Sequence, residues 1–170
     1  MNRITFRFFD EKQDAGLLPR MYDILYANMR KIFPMTSQYD QDKKTWLDWM
    51  ASDAARGHEI ILMYVEKTLA GYFQFRTEGD TLLIEEIEIL PEYQRTLLFA
   101  RFMQYAGHFL PQQIQWLEAY IRKENDASQA LAEGLGLRVV GENKKGTSWK
   151  YRGDIAPLRK YLSHGGAGEG

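Results

Sequence analysis

The stretch T-L-L-I-E-E-I-E-I-L-P-E-Y-Q-R-T-L-L-F-A-R, Thr81 to Arg101, decides how this chain reads. Leu82 to Leu90 is rich in branched aliphatic residues and predicts a strand, Pro91 opens a short turn, and Thr96 begins an apolar helix running to about Phe109. A strand that delivers a helix N-terminus is where α/β proteins hold anionic groups, because unpaired backbone N–H groups and the positive end of the helix dipole meet there. The same strand carries Glu85, Glu86 and Glu88, where a strand covered on both faces is expected to be almost continuously apolar. Burying carboxylates is costly, so the pattern demands either compensating partners or a chemical use.

Upstream, Glu59 to Val65 and Ala70 to Arg76 predict two further strands. The polar links Glu66-Lys67 and Glu78-Gly79-Asp80 are short enough to imply antiparallel hairpins. Ile4 to Phe9 predicts an opening strand. Leu17, Leu18, Met21, Ile24, Leu25, Met29 and Ile32 then recur at helical spacing, with Pro19 in the first turn. A second helix is expected from about Gln41 to Ala55, its apolar side carrying Trp46, Leu47, Trp49 and Met50. The aromatic pairs Trp46 with Trp49 and Phe99 with Phe102 read as core packing.

Downstream, Ile114 to Ile121 predicts a strand. The strand-helix-strand unit has the length of a right-handed crossover, so the strands ending near Leu90 and Ile121 are expected to be parallel. A helix from Asp126 to about Glu133 is stopped by Gly134 and Gly136. Leu137 to Gly141 and Thr147 to Tyr151 close the pattern as a hairpin around Asn143 to Gly146. The fold class is α/β: a mixed, mostly antiparallel sheet with one parallel pair and helices on both faces. One domain is expected over 1–153, with a C-terminal extension over 154–170 whose last residues, Gly165 to Gly170, are expected to be disordered.

With 170 residues, 45% apolar and 26% charged, the composition suits a single core. The 22 basic and 23 acidic residues nearly cancel and form no basic stripe, so no nucleic-acid partner is expected. The absence of cysteine excludes a thiolate nucleophile, disulfides and thiolate metal sites. His58, His108 and His164 lack partners at metal-ligand spacing, so no metal is expected either. The longest apolar run, Ile60 to Val65, is too short to cross a bilayer, and Arg3, Arg7 and Asp10 stand where a signal peptide needs apolar residues. The expected location is the cytoplasm.

The element order resembles that of the GNAT superfamily of acyl-CoA-dependent N-acetyltransferases over nearly the whole chain. At residue level, I-L-P-E-Y-Q-R at Ile89 to Arg95 is similar to the family's V-x-P-x-Y-R-G, and N-D-A-S-Q-A-L-A-E-G-L-G-L at Asn125 to Leu137 is similar to its N-x-x-A-x-x-x-Y-x-x-x-G-F. The resemblance implies acetyl-CoA as co-substrate and transfer of its acetyl group to a primary amine of a small molecule or peptide, by direct attack in a ternary complex. It further implies that pantetheine lies along Ile89 and Leu90, that the pyrophosphate meets the segment Gln94, Arg95, Thr96, Leu97, Leu98, Phe99 and Ala100, and that Asn125 and Ser128 belong to the cofactor site.

Two departures from the family pattern stand out. The signature Q/R-x-x-G-x-G/A uses glycine because a side chain there holds phosphate oxygens away from the N–H groups. Counted from Gln94, Leu97 and Phe99 take the glycine positions; counted from Arg95, Leu98 and Ala100 do. In the second motif, Ala132 stands at the position of the tyrosine that protonates the departing thiolate, which leaves Tyr120, near the end of the parallel strand, as a substitute acid.

Glu85, four residues before Ile89, is the expected general base, with Glu86 and Glu88 as rivals; the alternative is that these carboxylates pair with basic residues of the covering helices or sit at a wet strand end. Arg95 and Thr96 read either as phosphate contacts or as a solvated residue and a helix cap, and Asn125 likewise reads as a cofactor contact or a cap. By family analogy, the loop from Phe33 to Asp40 shapes the acceptor pocket, which makes Tyr39 and Asp40 substrate candidates. The competing function is a non-catalytic GNAT-fold module that binds a ligand or a protein after its coenzyme A site has decayed. A homodimer stays open.

Overall fold

The structure is a computed structural model and describes residues 3–32, 38–52, 55–157 and 159. Strands β1 (Ile4–Phe8), β2 (Glu59–Val65), β3 (Thr68–Glu78), β4 (Thr81–Ile89), β5 (Trp116–Arg122), β6 (Arg138–Glu142) and β7 (Ser148–Asp154) form one sheet in the order β1-β2-β3-β4-β5-β7-β6. Between them run α1 (Glu11–Asp14), α2 (Leu18–Met29), α3 (Tyr39–Met50), α4 (Leu97–Phe109) and α5 (Asp126–Gly134). The sheet is mixed and mostly antiparallel, and β4 and β5 are its parallel pair. That is the expected architecture. The parallel register among the described residues joins Thr81–Ile84 to Trp116–Ala119.

Two compact units make up the chain. The first comprises Met1–Gln74 and Glu86–Leu98. Its core joins Met21 and Ile24 of α2 to Ile60 and Leu62 of β2, Leu69 and Tyr72 of β3, and Leu90. Each such side chain contributes about 1.5–3 kcal/mol through burial. The stripe that α2 buries follows directly from its spacing, and Pro19 sits in the first turn, where no helical N–H is lost. A short helical entry precedes it: Asp10 caps α1 by accepting from the Lys12 and Gln13 amides, and Arg7 grips buried Asp14 through two hydrogen bonds of 2.6 and 2.8 Å. That guanidinium holds the Asp14 carboxyl below its ordinary range.

The second unit comprises Phe75–Glu85 and Phe99–Gly170. Within it β5 pairs antiparallel with β7 from Trp116↔Asp154 to Arg122↔Ser148, and β6 pairs with β7 through a bulge between Val139 and Gly141. Phe102, Leu117, Leu137 and Tyr151 are buried in its core. Gly136, at φ +88°, ends α5 in a left-handed turn in which the Leu137 amide reaches the Ala132 carbonyl at 3.0 Å.

Several expected boundaries shift. The second helix covers Tyr39–Met50, ending before the expected Ala55, and none of its residues is fully buried. Trp46 packs against the core, whereas Trp49 is exposed and meets His58 edge-on. Phe102 is buried as expected, and Phe99 is half-buried. β3 extends beyond the expected Ala70 to Arg76 at both ends. The closing hairpin starts one residue later than expected on each strand, and β7 runs to Asp154, past the expected domain end. Phe33 to Ser37, His164 and the expected disorder of Gly165 to Gly170 lie outside the described residues.

Candidate active site

Glu86 and Glu88 are two residues apart on β4, so their side chains leave the same face of the strand. The groups that meet them come from β3, α2 and the turn after β4. Fully buried Tyr72 donates its hydroxyl to Glu86 Oε2 at 2.6 Å. Asn28, on the stripe of α2 that carries Met21 and Ile24, donates from Nδ2 to Glu88 Oε2 at 2.6 Å and to the Ile89 carbonyl at 3.0 Å. Gln94 donates from Nε2 to Asn28 Oδ1 at 2.9 Å and to the same Ile89 carbonyl at 2.8 Å.

This setting changes the acid-base character of the strand. Burial pushes the Glu88 carboxyl up to about 8, Asn28 pulls it partway back, and the negative charge of Glu86 adds to the rise. Desolvation outweighs the one hydrogen bond because an uncharged amide offsets only part of a lost hydration shell. Burial also holds the Tyr72 hydroxyl well above its ordinary value, reinforced by Glu86 and Glu88, so Tyr72 stays a donor. A carboxyl titrating near 8 is matched to taking a proton from an ammonium group close to neutral pH.

Glu85 lies elsewhere. It is exposed, belongs to the second unit, and forms an ion pair with Arg76 at 2.8 Å. Glu85 thus pairs with an arginine of the neighbouring strand rather than with a basic residue of a covering helix, while Glu86 and Glu88 share a half-buried face.

One glycine makes that face possible. A Cβ on Gly71 would stand 2.4 Å from the Glu88 carbonyl oxygen and 3.2 Å from Ile89 Cα, so β3 lies against β4 at a distance only glycine allows. Next to it the Leu90 amide donates to the Ala70 carbonyl at 2.8 Å. Ile89 and Leu90, the expected pantetheine positions, are buried.

The turn that follows is a single 3-10 turn over Pro91–Tyr93. Gln94 folds back on Asn28 and Ile89, and Arg95 is exposed with φ +62°. Thr96 is a cap: its hydroxyl accepts from the Leu98 amide at 3.2 Å and donates to the Tyr93 carbonyl at 2.6 Å. Leu97 stands 63% exposed at the helix start and Leu98 is fully buried. Phe99 and Ala100 are half-buried. Of the two registers for the phosphate signature, the one counted from Gln94 places an outward leucine at the first glycine position. A phosphate approaching this helix end would therefore meet the Leu97 side chain first.

In the second unit, Asn125 caps α5 by accepting from the Ser128 amide at 3.1 Å. Ala132 is buried in that helix, and the hydroxyl of buried Tyr151 lies 3.4 Å from Gln129 and 3.5 Å from Glu133. Tyr120 is 53% exposed and is the first residue of β5 beyond the parallel register. Of the acceptor candidates, Tyr39 turns inward to donate its hydroxyl to Asp23, which Lys43 also contacts at 2.8 Å, and Asp40 is exposed.

Asn28, Tyr72 and Gly71 are the site residues that sequence reasoning missed. Asn28 carried a signal: an amide one turn beyond Ile24 on a stripe otherwise apolar. A cavity of about 680 Å³ bordered by Phe9, Leu18, Met50, His58 and Ile60 lies in the same unit and is lined by none of these groups. Among the described residues, no group of three or more His, Asp or Glu side chains is arranged to hold a metal, and no helix is long and apolar enough to cross a membrane.

No curated protein matches the chain. Many solved structures do. A PaiA N-acetyltransferase from Thermoplasma acidophilum in complex with coenzyme A aligns with a TM-score of 0.66 at 13% identity, covering 89% of this chain and 99% of its own. An acetyltransferase from Thermus thermophilus aligns at 0.67 and 17% identity, covering 91% and 99%. Mutant forms of the spermidine/spermine N-acetyltransferase SpeG from Vibrio cholerae align at 0.54 and 16% identity, covering 95% and 98%. At these identities the likeness is one of fold. The family model for acetyltransferases (GNAT) matches residues 18–137, from the start of α2 to the residue after Gly136, and the chain belongs to that family.

Proposed function

We propose that this protein transfers an acetyl group from acetyl-CoA to a primary amine, with Glu88 rather than Glu85 as the general base. The observation that carries this reading is the Glu88 carboxyl, enclosed on α2's side of β4 with an acidity near 8. An ammonium group cannot attack a thioester until it has lost a proton. Glu88 takes that proton, the freed nitrogen bonds to the thioester carbonyl carbon, and the carbon–sulfur bond breaks to release the coenzyme A thiolate. As the nitrogen becomes an amide it sheds its remaining extra proton, and the thiolate takes that proton up. General acid-base assistance of this kind contributes roughly 10²- to 10⁴-fold.

Family membership supports the acyl donor, and a half-buried face with two carboxylates supports a cationic amine as acceptor. The fold likeness to a spermidine/spermine N-acetyltransferase is consistent with a small amine. Outward Leu97 and buried Ala132 favour a second reading, a GNAT-fold module that binds without catalysis. Calorimetric titration with acetyl-CoA and with free coenzyme A, followed by an acetylation assay over a panel of primary amines, separates the two. Binding together with turnover that rises toward pH 8 is the expected result; no heat at millimolar acetyl-CoA overturns the enzyme reading.

A further inference from the structure

We infer that Asn28 is the positioning residue of Glu88 and that Gln94 locks Asn28 in the orientation this requires. The inference rests on the proposed role of Glu88 as base.

The amide of Asn28 has two N–H donors, and both are committed, one to Glu88 Oε2 at 2.6 Å and the other to the Ile89 carbonyl at 3.0 Å. Turned over, the amide would set its oxygen against two acceptor oxygens, one of them a carboxylate's. Gln94 adds a second check on the same choice: its Nε2 meets Asn28 Oδ1 at 2.9 Å, a contact that only the observed orientation satisfies. Its other N–H goes to the Ile89 carbonyl at 2.8 Å, which ties the turn to the strand. The network thus runs from the turn after β4, through α2, to one oxygen of one carboxyl.

Two consequences follow for the base. Oε2 is occupied, so Oε1 is the atom left to receive the proton from the acceptor amine. In addition, a donor to a carboxylate favours its ionised form, so Asn28 enlarges the fraction of Glu88 that is competent near neutral pH. The titratable groups facing Glu88 are Glu86 on its own strand, whose charge disfavours a second negative charge nearby, and Tyr72 on β3, which stays protonated and uncharged. α2 and the turn contribute the neutral amides of Asn28 and Gln94.

Asn28→Ala and Gln94→Ala test this, read by carbon-13 NMR titration of the Glu88 carboxyl in the resting protein and by the pH profiles of kcat and KM. In Asn28→Ala the Glu88 midpoint is expected to rise by about one pH unit. At pH 7 kcat should then fall about tenfold, with KM for acetyl-CoA unchanged and much of the loss regained above the new midpoint. Gln94→Ala, an exposed position that tests the network should Asn28→Ala not fold, is expected to move the midpoint the same way by less. An unmoved midpoint in a folded Asn28→Ala protein, or in Gln94→Ala alone should the former not fold, overturns the inference whatever the activity. A midpoint that moves in a protein that acetylates no amine leaves the inference standing and overturns the acyltransferase reading instead.

Discussion

Glu88→Gln is expected to make the protein more stable and catalytically inert at the same time. The folded protein holds the Glu88 carboxyl from an ordinary 4.5 up to about 8. Between those values the native state keeps a proton that the unfolded chain has released, so native stability falls as pH rises from about 4.5 and levels off above about 8. At about 1.4 kcal/mol per pH unit, the cost reaches about 3 kcal/mol at pH 7 and about 5 kcal/mol at pH 9. Glutamine has the same shape and can still accept from Asn28 through its carbonyl, but it never ionises. The variant and the parent should therefore unfold alike at pH 4, and the variant should melt roughly 6–12 °C higher at pH 7, with a wider gap at pH 9. Circular dichroism melts across pH 4–9, paired with acetylation rates, check this. Parallel stability curves for the two proteins would refute an elevated Glu88; full turnover in the variant would refute its role as base.

Gly71→Ala is expected to cost several kcal/mol and to lower activity, because the added methyl meets backbone rather than a flexible side chain at 2.4 Å; a chemical denaturation midpoint within error of the parent would show that β3 can retreat freely. Glu85→Gln should leave the pH profile unchanged and shift stability by no more than about 1 kcal/mol, since it loses an exposed ion pair with Arg76; loss of turnover would return Glu85 to the base role. Leu97→Gly should tighten acetyl-CoA binding in calorimetry by clearing the helix start, and weaker binding by a folded variant would mean that the leucine itself contacts the cofactor.

The fold was legible because its signals are local and strong. The 3.6-residue stripe of α2, the two-residue hairpin link at Glu66-Lys67 and the crossover length from β4 to β5 each constrain one element pair, and together they leave one topology. The site was legible only in part. Glu85, Glu86 and Glu88 stood out as misplaced carboxylates, yet the alternation that should say which face is buried fails in this strand. Leu83, Glu85, Ile87 and Ile89 leave one face while Leu82, Ile84, Glu86 and Glu88 leave the other, so neither is purely apolar. The choice was made by Asn28, which lies 60 residues from Glu88 in sequence and reaches it only through the packing of α2. Likewise the need for glycine at position 71 depends on a backbone approach between two strands, which no spacing rule encodes.

Arg95 holds φ +62°, a left-handed conformation that costs a non-glycine residue about 1–2 kcal/mol. In the V-x-P-x-Y-R-G pattern that this segment resembles, the position is glycine, the residue that adopts such a conformation without that cost. The bend is enforced from either side, by Gln94 bound to the Ile89 carbonyl and by Thr96 closing on the Tyr93 carbonyl. The turn holds a left-handed backbone shape without the amino acid that makes it easy, and a search keyed to dihedral angles would recognise a turn that one keyed to glycines passes over.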